Sequence, residues 1–558
     1  MAMDIGLSSE AERRLNDMKT RRGLLLLAIL ALAVLGLGLL LSGVSADPSG
    51  TVSGAVVDAE GPVAGATVRE QGTDNVTSTA ADGWFTLGTL TEGQEIEVTA
   101  WAGGYYIAST HVTPTVSGII LTLRPYHTTD HPGYAWPSPI SGTSEGACGN
   151  CHPVIVSQWI TNAHGGAVSN PRFFSMYNGT DVSGTVQVAP GYLDDFPGTA
   201  GNCANCHAPG VGVDGYLTTN MNDVRDVVTA GVHCDYCHKV GGVYLNPATG
   251  SVYPNVPGAQ SQRVLRPPEG DDIFFGPYDD IHDPDTYLPV MTQSQFCAPC
   301  HQFSFWGTPI YESYQEWLSS PYADAGITCQ DCHMPPTGDT YFALPEVGGR
   351  EHPPERIPSH LQLGATNVEL LQNTVSMTLS ARQVADSLRA SVTITNTDAG
   401  HHVPTDFPAR NMILLVRATD NQERELAQVA GPTVPDWGGV GADPDDYAGW
   451  PGKGYAKVLM DVVSGEAPVA SYWKQALIQS DNRLAAFEAD TTTCDFLVPE
   501  GGGDVEVEAV LIFRRAFKSL AEAKGWEMED IVMETDTVTL SLIPAYKVYL
   551  PAVMRETE

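Results

Sequence analysis

The sequence predicts a multidomain chain: an N-terminal transmembrane helix, a small β-sandwich, a mainly α-helical or irregular central domain and a C-terminal β-sandwich. Three observations carry this reading. Residues 23–41 form an unbroken apolar run. Short runs alternating apolar and polar residues, the period-two pattern of strands, fill 49–124 and return after about residue 365. Between them, from Cys148 to His333, ten of the eleven cysteines fall in five C-x-x-C pairs, each followed at once by histidine.

The first 46 residues hold "GLLLLAILALAVLGLGLLL", 19 uncharged positions at 23–41. At about 1.5 Å per residue this just crosses a hydrocarbon core of roughly 30 Å. Arg13, Arg14, Lys19, Arg21 and Arg22 precede it, which keeps residues 1–22 cytoplasmic and exports the rest. The expectation is a retained single-pass anchor; a signal peptide cleaved after "VSA", before Asp47, is the alternative. Either way the cysteines lie outside the cytoplasm.

Residues 49–124 ("TVSGAVVD", "ATVRE", "GWFTLGTL", "EIEVTAW", "GIILTL") read as a small antiparallel sandwich without cysteine. Residues 125–147 are rich in Pro, Ser, Thr and Gly and read as a linker. The motif-bearing domain spans 148–365 and the larger sandwich 366–545, interrupted by a helical run, "RAFKSLAEAKGW". The insertion "GPTVPDWGGVGADPDDYAGWPGKG" is expected as a surface loop. A net charge of −37 argues against nucleic acid, which needs clustered Lys and Arg.

The motifs are Cys148/Cys151/His152, Cys203/Cys206/His207, Cys234/Cys237/His238, Cys297/Cys300/His301 and Cys329/Cys332/His333. On a helical turn, positions i, i+3 and i+4 share one face. Two thiols there can form thioethers with the two vinyl groups of a haem while the histidine reaches its iron. Zinc ribbons use C-x-x-C pairs two at a time, so five leave one over, and they need no following histidine. A thioredoxin-type pair needs a βαβ setting that is absent here. A disulfide framework gives no reason for five histidines. The motifs therefore predict five covalently bound haem c groups, each with a proximal histidine.

With that cofactor in view, "CGNCHPVIVSQWITNAHGGAVSNPRF", "GVHCDYCHKV", "FCAPCHQF" and "TNTDAGHHVPTD" resemble the multihaem c-type cytochromes related to hydroxylamine oxidoreductase and its tetrahaem electron acceptor. The resemblance runs from about 145 to 410. It implies closely stacked haems, mostly with two histidines per iron, that pass electrons along a row. Separately, "GPVAGATVRE…TSTAADGWFTLGTL" resembles the carboxypeptidase regulatory-like β domain, a module without chemistry of its own.

Ten histidines lie outside the motifs. The resemblance implies a distal role for His164, in a W-x-x-x-x-H pattern, and for His401, in G-H-x-x-P-T. It implies the same for His360 after the last motif and His282 before the fourth. A helix running from the first motif would carry His164 about 18 Å from His152, towards a neighbouring haem. For the fifth position His352, His233, His131 and His127 compete. His111 on a predicted strand is structural, His402 is the bland neighbour of His401, Met334 is packing, and Cys494 is a small buried residue. Nine histidines for five open positions favour saturated irons.

The function expected is electron transfer outside the cytoplasm by a membrane-anchored pentahaem cytochrome. The alternative is a multihaem oxidoreductase acting on a small nitrogen or sulfur compound at an open axial site. A cytochrome filament is a third reading, which a cleaved leader would favour. Expected partners are redox proteins or a quinol-linked membrane complex, in a bacterial or archaeal periplasm or at the cell surface. The acidic stretches "DDIFFGPYDDIHDPD" and "GADPDDYAG" offer oxygen ligands of the kind calcium takes, and read first as solvated loops.

Overall fold

Strand Ser387–Asn396 buries every second side chain, Leu388, Ala390, Val392 and Ile394, because alternate residues of a strand face opposite sides. That pattern recurs through the computed structural model, which describes residues 49–282 and 284–544. The predicted anchor at 23–41 lies outside the described residues, and among those described no helix is long and apolar enough to cross a membrane. The described chain divides into two compact units, one of 49–126 with 279–282, the other of 127–278 with 284–544.

The first unit is a seven-stranded sandwich of two sheets. One holds Trp84–Thr91, Ser49–Val57 and Val116–Thr122; the other holds Val76–Ser78, Thr67–Glu70, Ile96–Trp101 and Ala108–Val112. Val52, Val56, Phe85, Leu87, Val98 and Leu121 fill the space between them. The expectation of an all-antiparallel module is corrected at one pair: Ser49–Val57 and Val116–Thr122 run parallel, the last strand returning beside the first.

In the second unit the chain from 127 to about 365 has short helices and turns, and the C-terminal part is a sandwich of a four- and a five-stranded sheet. Its core packs Leu388, Val392 and Ile394 against Met412, Leu414, Leu511 and Phe513. The stretch expected as a linker belongs to this unit from residue 127 on: Tyr134 Oη donates to Asp235 (2.9 Å) and Trp136 Nε1 to the Gly210 carbonyl (3.2 Å). The insertion expected as a surface loop covers the outer face of the five-stranded sheet, Val434, Trp437 and Tyr447 packing on Ile413, Leu415 and Ile512. A strand buried on both faces needs such a cover. The acidic part of that insertion is neutralised by cations of the chain. Lys518 Nζ stands 2.6 Å from both Asp445 and Asp446, and among the described residues no group of three or more Asp, Glu, His or Cys is placed to hold a metal ion.

Two buried cations fasten this sandwich to the central region. Lys524, at the end of helix Lys518–Lys524, donates to the carbonyls of Ser175 (3.0 Å), Thr180 (2.9 Å), Val188 (2.5 Å) and Pro190 (2.7 Å). Arg483 bridges Asp481 and Glu316, each at 2.7 Å.

Candidate haem sites

Four motifs lie on single α-helical turns, as their spacing predicts. The second and fourth occupy Ala204–His207 and Ala298–His301, with Cys203 and Cys297 as the residues just before each helix. The third and fifth form helices Cys234–His238 and Cys329–His333. The fifth is closed by a capping box between Thr328 and Asp331 and leaves Cys332 exposed. The third is capped by His233, whose Nδ1 accepts from the Tyr236 N–H at 3.2 Å.

The first motif corrects that expectation at Cys151. The chain there makes a tighter 3₁₀ turn, Cys148–Asn150, and Cys151 lies just past its end instead of within an α-helix. The Cys151 N–H still donates to the Cys148 carbonyl (3.1 Å), and its own carbonyl accepts from the Leu344 N–H (2.8 Å). His152 then leaves helical geometry (φ −119°, ψ 52°) and precedes the next helix, Pro153–Trp159. Pro153 explains the break, because a residue before proline is pushed out of the α region. Cys151 is half-buried and in no disulfide, and its place one turn from Cys148 suits it as the second attachment point. Despite the difference, His152, His207 and His301 all donate their backbone N–H to the carbonyl of the first cysteine of their own motif, at 2.9, 2.9 and 3.2 Å.

Three of the five motif histidines share one feature. Their Nδ1 donates into the protein: His152 to the Phe342 carbonyl (2.8 Å), His238 to Phe275 (2.8 Å) and His333 to Leu363 (2.5 Å). The His207 ring faces the Ala167 backbone, and His301 Nδ1 lies 3.5 Å from the Asp406 carboxylate. A proton fixed on Nδ1 leaves the Nε2 lone pair for a metal and sets the ring's orientation. Burial pushes His207 down to about 4, so its ring is neutral and competent as a ligand at neutral pH. Burial pushes Asp406 up, but His301 and then Arg410 and Ser313 hold its carboxyl far below the usual carboxylate range.

Two of the expected distal histidines stand opposite motif histidines. The ring centroids of His164 and His301 are 6.2 Å apart with planes crossing at 66°. Those of His333 and His401 are also 6.2 Å apart, with planes at 15°. A ligating nitrogen sits about 2 Å from its metal, so two rings on opposite sides of one ion have centroids roughly 6 Å apart. The residues therefore fit an iron with two axial histidines at the fourth and fifth motifs. His401 Nδ1 donates to the His402 carbonyl (2.8 Å), which also leaves its Nε2 open. His164 is half-buried, its Nδ1 is buried and makes no hydrogen bond, and desolvation pushes it down to about 4. The expected continuous helix is corrected: it ends at Trp159, and turns carry the chain on to His164.

The other candidates fall elsewhere. His360 lies near His238 and His152, with its Nδ1 buried and unpartnered and its ring pushed by burial to about 4. His352 is buried against Tyr278 and Phe342, and Phe342 in turn stacks on His152, which puts His352 beyond Phe342. His282 belongs to the first unit, its Nε2 2.9 Å from Glu97. His233 spends Nδ1 as a helix cap, so its Nε2 carries the proton and has no lone pair to give. His127 and His131 face each other at 6.1 Å, and His111 is on a strand of the first unit. Cys494 is buried in the sandwich core.

Sequence reading missed the residues that hold these groups. Asn162 Nδ2 donates to the His360 carbonyl (2.7 Å) and to Gln362 Oε1 (2.6 Å), while its Oδ1 accepts from the His164 N–H (2.9 Å). One amide thus positions two candidate distal ligands. Gly231, just before the third motif, has φ +70° and packs on the His164 carbonyl, where a Cβ would come within 2.5 Å. Gly258 lets the chain pass the second motif; a Cβ there would meet Cys206 Sγ at 2.8 Å.

The motifs adjoin through their thiols. Cys148 meets Cys234, Cys206 meets Cys300, and Cys297 meets Cys329, while Cys237 lies close to Cys300. The five attachment points are therefore one contiguous cluster.

Five C-x-x-C-H turns, imidazoles with Nδ1 anchored, and two opposed histidine pairs define a multihaem c-type cytochrome. In keeping with that class, residues 147–239 match the family model described as cytochrome c554 and c-prime. Among solved structures the chain is similar to the crystal structure of a penta-heme cytochrome c552 from Thermochromatium tepidum, at 20% identity and a TM-score of 0.51. The likeness covers 70% of this chain and 97% of that one. A structural genomics target solved by X-ray matches 34% of this chain and 96% of its own at 10% identity, with a TM-score of 0.12, too weak to inform the fold. No match is found among curated proteins.

Proposed function

We propose that the chain is a pentahaem electron-transfer protein, with one haem c at each motif and the row anchored at a membrane outside the cytoplasm. The observation that carries this reading is the pair of opposed histidines at 6.2 Å, His164 with His301 and His333 with His401, within one cluster of adjoining thiols. Bound haem supplies one-electron exchange at its iron, and bis-histidine ligation holds the potential below that of a methionine–histidine pair. The chain's own residues fix the rest. The cysteine pairs hold each ring to its turn, Cys148 and Cys151 included, and the Nδ1 acceptors aim the Nε2 of His152, His238 and His333. His164 serves the fourth motif, His401 the fifth, and His360 the first or third. The contacts Cys148–Cys234, Cys206–Cys300 and Cys297–Cys329 bring the attachment edges of neighbouring rings together, as hopping requires.

The kinship is with the cytochromes around hydroxylamine oxidoreductase, and the N-terminal sandwich is a carboxypeptidase regulatory-like spacer. Redox proteins or a quinol-linked membrane complex exchange electrons with the row. A second reading, an oxidoreductase with one open iron, is favoured by one contact. Phe173 stacks on the face of the His207 ring (centroids 4.1 Å, planes at 25°), and among the described residues no histidine ring stands opposite His207 as His164 does His301. Low-temperature EPR of the oxidised protein with carbon monoxide binding after reduction separates the two. Only low-spin signals and no carbon monoxide uptake support the carrier; a high-spin haem that binds carbon monoxide supports the enzyme.

A further inference from the structure

The motif histidines divide by the groups their rings face. Four face neutral backbone groups, at Phe342, Ala167, Phe275 and Leu363. The fourth motif's His301 alone faces a carboxylate, Asp406 Oδ2, at 3.5 Å. Asp406 is built into that position. Its backbone is left-handed (φ +64°), a conformation a short polar residue such as aspartate tolerates better than most. Its side chain is only 18% exposed, Ser313 Oγ donates to Oδ1, and Arg410 Nη1 stands 3.8 Å from Oδ2.

A carboxylate draws the Nδ1 proton harder than a carbonyl does, which makes the imidazole a more basic ligand. A more basic axial ligand stabilises ferric over ferrous iron and lowers the potential. We propose that Asp406 is a positioning residue that tunes the haem at Cys297 and Cys300 to a lower potential than a neutral acceptor would give. This inference rests on the pentahaem reading above. The fourth motif adjoins the second and third through Cys300 and the fifth through Cys297, so the tuned site stands among three neighbours. An electron crossing it meets an energetic step there, which favours retention of charge on the neighbouring sites.

The test is Asp406→Asn, which keeps an acceptor and removes the charge, with Asp406→Glu as the rescue. Haem content is counted first by pyridine haemochrome. A spectroelectrochemical titration then resolves the components. The expected result is five haems in Asp406→Asn, one component's midpoint moved upward by at least about 59 mV, a tenfold fall in its ferric-to-ferrous ratio at a fixed potential, and the others fixed. The glutamate variant should restore it. Five haems with every component unmoved, or all moving together, overturn the inference while leaving the pentahaem reading intact. A parent protein without haem overturns that reading instead. Should Asp406→Asn lose haem, Ser313→Ala frees the carboxylate to bind His301 more tightly, and one component should move downward; no movement refutes the proposal.

Discussion

Replacing His401 by alanine tests the distal assignment where the structure isolates it best. The ring faces His333 at 6.2 Å and makes one hydrogen bond, from Nδ1 to the His402 carbonyl. The turn that presents it is held without the ring: Asn396 Nδ2 donates to the His401 carbonyl (2.9 Å), and the Ala399 N–H donates to Asn396 Oδ1 (3.1 Å). Loss of the ring therefore costs the fold about 1 kcal/mol for that hydrogen bond. The sandwich core from Leu388 to Phe513 is untouched. With five motifs in the chain, one iron in five should lose its sixth ligand. The assay is carbon monoxide titration of the reduced protein beside EPR of the oxidised form. Uptake should rise by one molecule per chain over the parent, with one new high-spin signal. Adding His164→Ala should raise it by one more, because His164 pairs with His301 instead. Unchanged uptake in a variant with full haem content would refute the pairing.

Further outcomes follow from the same geometry. Gly231→Ala forces a Cβ against the His164 carbonyl at 2.5 Å with φ +70°, so it should destabilise by more than about 1 kcal/mol and add a high-spin component to the EPR spectrum. Lys524→Met removes a donor from the carbonyls of Thr180, Val188 and Pro190, while the Ser175 carbonyl keeps the Thr180 N–H; at about 1–3 kcal/mol for each group left unsatisfied, loss of at least about 3 kcal/mol is expected in thermal or denaturant unfolding. Arg483→Ala breaks a pair whose side chains are 3% and 5% exposed, for about 3–5 kcal/mol. Burial pushes Glu316 up, but Arg483, His402 and Thr405 hold it net below the usual glutamate range. Its contribution is thus complete at neutral pH and lost as acid protonates it below that range, a slope that Arg483→Ala should flatten. Axial planes crossing at 66° for one pair and 15° for the other should give two different low-spin EPR line shapes, each removed by its own alanine variant.

The strands and the motifs are legible in the sequence because both are local. Period-two burial in Ser387–Asn396 and the spacing of cysteine and histidine within one turn need no tertiary knowledge. The exception is Cys151, where Pro153 breaks the turn two residues on and the α-helix starts only after the motif. His164 and His401 are legible as candidates, but their partners are not: His301 lies 137 residues beyond His164, and only packing brings the rings together. His282 shows the opposite outcome. Its place before the fourth motif suggests a ligand, yet residues 279–282 return to the first unit, where Glu97 receives the ring. His233, adjacent to Cys234, competes as a ligand in sequence and serves as a helix cap in the structure. The supporting residues leave little trace. Asn162 sits within the W-x-x-x-x-H stretch and Asp406 ends "GHHVPTD", but nothing in an amide or a carboxylate announces which ring it will hold. Lys524 reads as an ordinary helix-terminal lysine until its four carbonyls are in place.

The most direct test of the central claim is the mass of the intact, denatured protein beside its pyridine haemochrome count. Five covalently retained haems per chain, gone one at a time when each motif's cysteines become alanine, are the predicted result. Apo-polypeptide mass, or a count that leaves a motif empty in fully matured protein, would contradict it.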